Sequence, residues 1–425
     1  MSKNNFFFIL LMFGFVCNGI TQVLPLDSVK NRILSQNPEL KMFVNQARSY
    51  DAMAEGATAW EAPQLGVGFF MTPYQASYWK PQMMKIDGMN TMMPGMGNFM
   101  IQAKQMIPNP YRLKANQRYQ QAISSVENEN SKAMANTILF QAKTAYCEVQ
   151  MIDRKLKVLQ EAKTTIQTMI QLGERKIAYN QESLASVYKA KSQAALLEKD
   201  KWMMEGERKQ KIYMLNAMMN RPNNQPFATD TLFSIKEYDT APVDSSSLTT
   251  NRSDLLAMDK NIQVALLKQK SELAKSRPEF GLEYGHMFAF GANPNQFTLM
   301  GMMSIPIAPW SSKMYKSSAK ASHFEVEAMK NQKEAMITES IGMLYGMKSE
   351  LSSAKYQLKL YQDMILPALQ KTYDIAMLAY ANNTGELFMA LDARMNLQMA
   401  QMQYWDTMLN LLKLQAEYEK QYQIL

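Results

Sequence analysis

Residues 277–290 read Arg277-Pro278-Glu279-Phe280-Gly281-Leu282-Glu283-Tyr284-Gly285-His286-Met287-Phe288-Ala289-Phe290, and after a short loop the chain runs from Phe297 to Ile305-Pro306. Phe280, Leu282, Tyr284, Phe288 and Phe290 share one face at a period of two, with Glu283 and Gly285 opposite. Phe297, Leu299, Met303 and Ile305 face one way on the return. A period of two sustained over about 8–10 residues predicts strands of membrane-crossing length, joined as a β-hairpin over 278–305.

The same grammar occurs once before. Ala62-Pro63-Gln64-Leu65-Gly66-Val67 opens a segment in which Leu65, Val67 and Phe69 share a face, and a second segment ends at Ile107-Pro108, giving a hairpin over 63–107. Each hairpin follows a helical stretch of about 25 residues, opened by Asn37-Pro38-Glu39-Leu40 and by Asn251-Arg252-Ser253-Asp254-Leu255. After each Ile-Pro the period turns helical for an unusual distance. Residues 111–178 hold no proline, and residues 311–380 hold only Pro367. About 65 residues of helix would reach roughly 100 Å.

Two short polar segments interrupt the helices: Tyr179-Asn180-Gln181-Glu182-Ser183 and Tyr380-Ala381-Asn382-Asn383-Thr384-Gly385-Glu386. Helices then return over about 184–219 and 387–422. The chain is thus an internal duplication, with a first repeat over 22–220, a connector over 221–250 and a second repeat over 251–425. The connector carries Arg221-Pro222-Asn223-Asn224 and Asp244-Ser245-Ser246-Ser247. Residues 1–21 have one lysine, an apolar run from Phe6 to Val16 and a polar exit, the pattern of a secretory signal peptide. A lipid-anchored Cys17 is the alternative, although Val16 precedes it where a small residue is expected.

Composition narrows the chemistry. The 425 residues carry 46 Lys and Arg against 38 Asp and Glu, a net +8 spread along the chain, which does not call for nucleic acid. Beyond the leader Cys147 is the single thiol, so neither a Cys/His zinc site nor a Cys–His nucleophile pair can be built well. His286 falls among Phe and Tyr on a strand and His323 on a long helix, and no phosphate loop or nucleophile elbow occurs. An enzyme is not expected, nor is a resident cofactor. Methionine is the anomaly, at 38 residues.

Four strands cannot close a barrel in lipid, since open edges leave backbone groups unpaired. Copies must share one; two would give eight strands and three would give twelve. The element order, its doubling, the bracketing prolines and the turn running into Leu387-Phe388-Met389-Ala390-Leu391-Asp392-Ala393 resemble the TolC-like outer membrane efflux protein family, the outer membrane factors of tripartite efflux systems. The resemblance spans nearly the whole mature chain. It implies a mostly α fold with a small β part. Three protomers would share a twelve-stranded β-barrel in the outer membrane of a Gram-negative bacterium. Long antiparallel coiled-coil helices would form a periplasmic α-barrel. The helix tips would meet a periplasmic adaptor (membrane fusion) protein and an inner-membrane pump of the resistance-nodulation-division type. Two departures stand out. The first tip has Asn180-Gln181-Glu182 where the family usually has glycine, and of two acidic aperture positions only Asp392 is present, with Met389 at the other.

On that footing Asn180, Gln181, Glu182, Ser183, Asn383, Thr384, Gly385 and Glu386 are the expected adaptor-docking tips. Asp392 is expected to ring the aperture, with Lys189, its counterpart in the first repeat, pairing with it to hold the gate shut; the alternative is an ordinary solvated ion pair. The loop between the first two strands carries Met83, Met84, Met89, Met92, Met93, Met96 and Met100 among glycines. Thioethers bind Cu(I) and Ag(I), so Met89, Met92, Met93 and Met96 are the expected metal contacts. They point to the heavy-metal, CusC/CzcC-like branch. The alternatives are a duct for drugs, organic solutes or type I protein secretion, and, in another class, a periplasmic Met-rich coiled-coil adaptor or metal-buffering protein.

Overall fold

The computed structural model describes residues 23–424, so the expected leader and Cys17 lie outside the described residues. In chain order the elements are β1 (Val23–Leu24), α1 (Leu26–Gln36), α2 (Pro38–Gly56), β2 (Gln64–Phe70), β3 (Gln82–Ile86), β4 (Met89–Met93), β5 (Asn98–Ile107), α3 (Pro110–Ile177) and α4 (Leu184–Met218). Then come β6 (Ala228–Thr229), α5 (Ser245–Asn251), α6 (Ser253–Ala274), β7 (Glu279–Ala289), β8 (Gln296–Ser304), α7 (Pro309–Leu360), a π-helical turn (Tyr361–Ile365), α8 (Leu366–Ala381) and α9 (Leu387–Tyr422). The chain divides into two compact units. One takes up 23–40, 135–244 and 341–424 of the described residues, and the other takes up 41–134 and 245–340.

The second unit is built on the sheet. Its four strands run in the order β2-β5-β7-β8, every pair antiparallel. The period-two registers meet across it: Val67 opposite Ile101, Phe99 opposite Phe288, Tyr284 opposite Leu299 and Phe280 opposite Met303. The loop expected between the first two strands contains regular structure of its own. A 3-10 turn over Ala76–Trp79 leads into a second hairpin, β3 against β4. Asp87-Gly88 makes its turn with both residues at positive φ (46° and 83°), the geometry of a two-residue type I′ connection.

The first unit is helical. Asn37 ends α1 and starts α2, its side-chain oxygen accepting from the main-chain N–H of Glu39 and Leu40 at 2.9 and 3.3 Å. Helix α1 precedes the stretch from which the sequence pattern begins, and α5 lies inside the expected connector. Leu159, Ile166 and Met169 of α3 pack with Val187 and Ala190 of α4 and with Leu387, Ala390 and Leu391 of α9 in one core. α3 is unbroken over 68 residues, whereas its counterpart in the second repeat is interrupted by the π turn next to Pro367. Near the C-terminal end of α9, Glu419 is buried and takes hydrogen bonds from Lys143, Lys236 and Tyr238.

Candidate duct wall and helix tips

Alternation gives the sheet two chemically different faces. On one face stand Leu65, Val67, Phe69, Ile101, Phe280, Leu282, Tyr284, Phe288, Phe297, Leu299 and Met303, all exposed. Leu65 and Val67 are 78% and 73% accessible, which in water would be a large unfavourable apolar surface. The opposite face places Gln102 and Lys104 across from Gly285 and Glu283. That face is mixed, since Met100, Met106, Met300 and Met302 also stand on it, so the contrast is between a continuous apolar face and one that carries charge; lipid outside and water inside select such a contrast. His286 sits opposite Phe297 on the apolar face, with its ring 4.5 Å from that of Phe288, and no acid–base partner accompanies it. Trp60, Tyr111 and Trp310, at the strand–helix junctions, are exposed in the manner of an interfacial aromatic belt. Each of β2 and β8 pairs on one side only.

The two tips are one motif used twice. At the first, the N–H of Gln181 bonds to the carbonyl of Lys176 at 3.0 Å, with Asn180 at φ 60°. At the second, the N–H of Thr384 bonds to Ala379 at 2.9 Å, with Asn383 at φ 59°. These are Schellman closures, and the short polar side chain of asparagine tolerates the left-handed backbone that they need. The left-handed position is asparagine at both tips, so the first tip closes without a glycine. Gly385 answers a different need, because a Cβ there would lie 3.0 Å from the Cβ of Ala379. Ser183 caps α4 by accepting from the N–H of Ala185 at 3.1 Å.

A buried clamp fastens the tips together. Gly173 of α3 lets three elements close in: a Cβ there would stand 2.9 Å from Val187 Cγ2 and 3.2 Å from Leu387 Cδ2. Tyr380 is 1% accessible, and burial, with the Glu182 carboxylate nearby, pushes its phenol up to about 12. Lys189 does not pair with Asp392 within the chain. Its ammonium lies 3.6 Å from the centre of the Phe388 ring, one turn before Asp392, a favourable cation–π seat. Asp392 is exposed and accepts from Asn396 at 3.0 Å. Two residues on, Arg394 is 5% accessible, and its Nε has no hydrogen-bond partner.

The four expected metal contacts do not converge as a set. The register puts Met89 and Met93 on one face of the β3–β4 hairpin, with Met84, and puts Met92 on the other face opposite Met83. Met93 and Met96 share a cavity with Met84, while Met89 and Met92 are exposed and do not line it.

No family model matches the sequence, and no curated protein matches it either. Its backbone, however, is similar to that of CusC, studied for the conformational changes that accompany folding and transmembrane channel formation. Identity is 16%, coverage is 93% of this chain and 91% of that one, and the TM-score is 0.72. The outer-membrane channel OprN is similar at 12% identity, 93% and 89% coverage and a TM-score of 0.73. The outer membrane protein VceC of Vibrio cholerae is similar at 14%, 93% and 95%, and 0.68. The fold is that of the outer-membrane channels.

Within this channel fold, several contacts have no local trace in the sequence. The clamp of Gly173, Lys176, Tyr380 and Leu387 joins positions some 200 residues apart, and Arg394 looks like any helix-surface arginine in the sequence. The ordered outer hairpin did leave a trace, the Asp87-Gly88 pair between two alternating runs.

Proposed function

We propose that three copies of this chain close a twelve-stranded barrel in the outer membrane of a Gram-negative bacterium and form an exit duct for solutes delivered from the periplasm. The observation that carries this is the four-stranded sheet with one continuous, exposed apolar face and, among the described residues, two unpaired edges. Edges in lipid must be paired, and β2 of one copy can take β8 of the next. Eight strands enclose an interior that side chains fill, whereas twelve leave a lumen, so passage of a solute favours three copies over two. An adaptor of the coiled-coil class would have no use for the apolar face.

The tips at 179–183 and 380–386 are where a periplasmic adaptor docks, with an inner-membrane pump behind it, since they are the exposed, irregular ends of the helical hairpins. To the polar residues expected there the structure adds Tyr179, Leu184 and Tyr188, all exposed. Asp392, exposed near the second tip, becomes a ring of three carboxylates around the aperture. Cu(I) or Ag(I) as cargo is supported by the methionine content alone, and drugs, organic solutes or a polypeptide are the other cargoes.

The test is assembly. Single cysteines placed at Val67 in β2 and at Leu299 in β8, with neighbouring positions to sample register, should cross-link between copies into a three-chain species that fractionates with outer membrane. A stable monomer in aqueous extracts would overturn the proposal.

A further inference from the structure

We propose that the cavity beside the β3–β4 hairpin is a binding site for a soft monovalent cation, Cu(I) or Ag(I), with Met84, Met93 and Met96 as its thioether ligands. The site lies within one chain and stands whether or not the duct proposal holds. The cavity is about 330 Å³ and is lined by these three methionines with Tyr78, Gln82, Lys80, Pro73 and Pro94.

Register explains how two of the thioethers come to line one cavity. Met84 and Met93 occupy diagonal positions on the same face of the hairpin, within the span of long side chains. The third is brought in by the main chain, where the N–H of Met96 bonds to the carbonyl of Tyr78 at 2.8 Å. The walls are fixed. Trp79 donates its indole N–H to Pro73 at 2.8 Å, stacks on Phe290 at 5.3 Å, and leaves so little room that a Cβ on Gly95 would lie 2.3 Å from its carbonyl oxygen. Asn293 of the other hairpin donates to the carbonyl of Gly95 at 2.6 Å. Three neutral, polarisable donors on a preformed frame suit a soft ion of low charge. No carboxylate lines the cavity, so a hard divalent cation gains nothing there. Lys80 is the one charged lining residue, and it is exposed, free to keep its ammonium in water. Core packing does not account for the trio, because Met84 and Met96 are 44% and 51% accessible.

The hairpin supplies its own control in Met83, Met89 and Met92, which are exposed and outside the cavity. The experiment uses the full-length protein in detergent, silver(I) nitrate as the probe, and peroxide oxidation of each methionine read by peptide mass spectrometry, since a metal-bound thioether resists conversion to sulfoxide. Silver should slow oxidation of Met84, Met93 and Met96 together and leave Met83, Met89 and Met92 unchanged. Changing Met84, Met93 and Met96 to Leu preserves volume, so assembly should persist while silver affinity falls by at least about tenfold, the loss typical of disturbing even a ligand's outer support. The Met83, Met89 and Met92→Leu variant should bind as the parent does. Protection spread evenly over both sets, no protection at all, or unchanged affinity in the cavity variant would each overturn the proposal. Copurification of either variant as a normal outer-membrane trimer reports on the duct separately.

Discussion

Lys176 donates to the main-chain carbonyl of Tyr380 and sets its ammonium 3.9 Å from the centre of the same residue's ring. One side chain of the first tip thereby grips the second tip twice. A charged hydrogen bond to a carbonyl and a half-desolvated cation–π contact together are worth about 2 kcal/mol. Lys176→Met keeps most of the stem and removes both contacts. It should lower the thermal unfolding midpoint and raise single-channel conductance in planar bilayers. An unchanged midpoint and conductance would show the grip to be idle.

Gly173 sets how closely the tips approach. Gly173→Ala adds a methyl 2.9 Å from Val187 Cγ2 and should loosen the tips despite the gain of about 1 kcal/mol in helix propensity. The double variant with Val187→Ala restores the room, so its conductance should return toward that of the parent. Failure of the second change to compensate would place the effect elsewhere.

Arg394 is charged and buried, and burial pushes its guanidinium below its ordinary value while Tyr373 and Glu161 draw it back more weakly. A buried charge with an unsatisfied donor is costly, and an apolar residue of like volume in its place can be neutral or stabilising by about 1–4 kcal/mol. Arg394→Met should therefore raise the unfolding midpoint of the assembled protein, as read by scanning calorimetry. A fall would mean that a neighbouring copy supplies the missing acceptor.

Acid should act on the helical unit through Glu419. Burial alone would raise its carboxyl, but hydrogen bonds from Lys143 and Lys236 outweigh that and hold it below the ordinary 4.5. Its folded value being depressed, the stability it confers is complete above about pH 4.5 and is lost as pH falls through the folded value. Unfolding midpoints measured between pH 6 and pH 3 should drop more steeply in the parent than in Glu419→Gln. Parallel curves would remove Glu419 from the account.

The left-handed asparagines give the last test. Asn180→Gly satisfies the backbone and should support efflux, whereas Asn180→Val, at φ 60°, carries a strain of about 1–3 kcal/mol and should abolish efflux with the barrel intact. Full complementation by the valine variant would show that the first tip tolerates any shape.

Much of this molecule is legible because its hairpins obey strict alternation. Phe280, Leu282 and Tyr284 all fall on one face, which fixes strand, face and register at once. The helix breaks were equally visible, since Asn180 and Asn383 are turn residues inside long unpunctuated runs. What could not be read was adjacency between distant elements. Lys189 and Asp392 are equivalent in the duplication, but equivalence by itself does not give contact; within one chain the Lys189 ammonium lies over the Phe388 ring. The methionine loop misled differently. Its glycines suggested freedom, yet Gly88 is the corner of an ordered hairpin, and order is what separates Met84, Met93 and Met96 from their neighbours.

The π turn at Tyr361–Ile365 sets the phase of the second arm. An extra residue in an α-helix would swing everything beyond it by about 100°, turning core positions toward solvent. A single π turn takes up such a residue locally, so Tyr380, Leu387 and Leu391 still reach the core that Val187 and Ala190 line. One arm runs straight to its tip and the other steps once on the way, yet both tips present their turns to the same core.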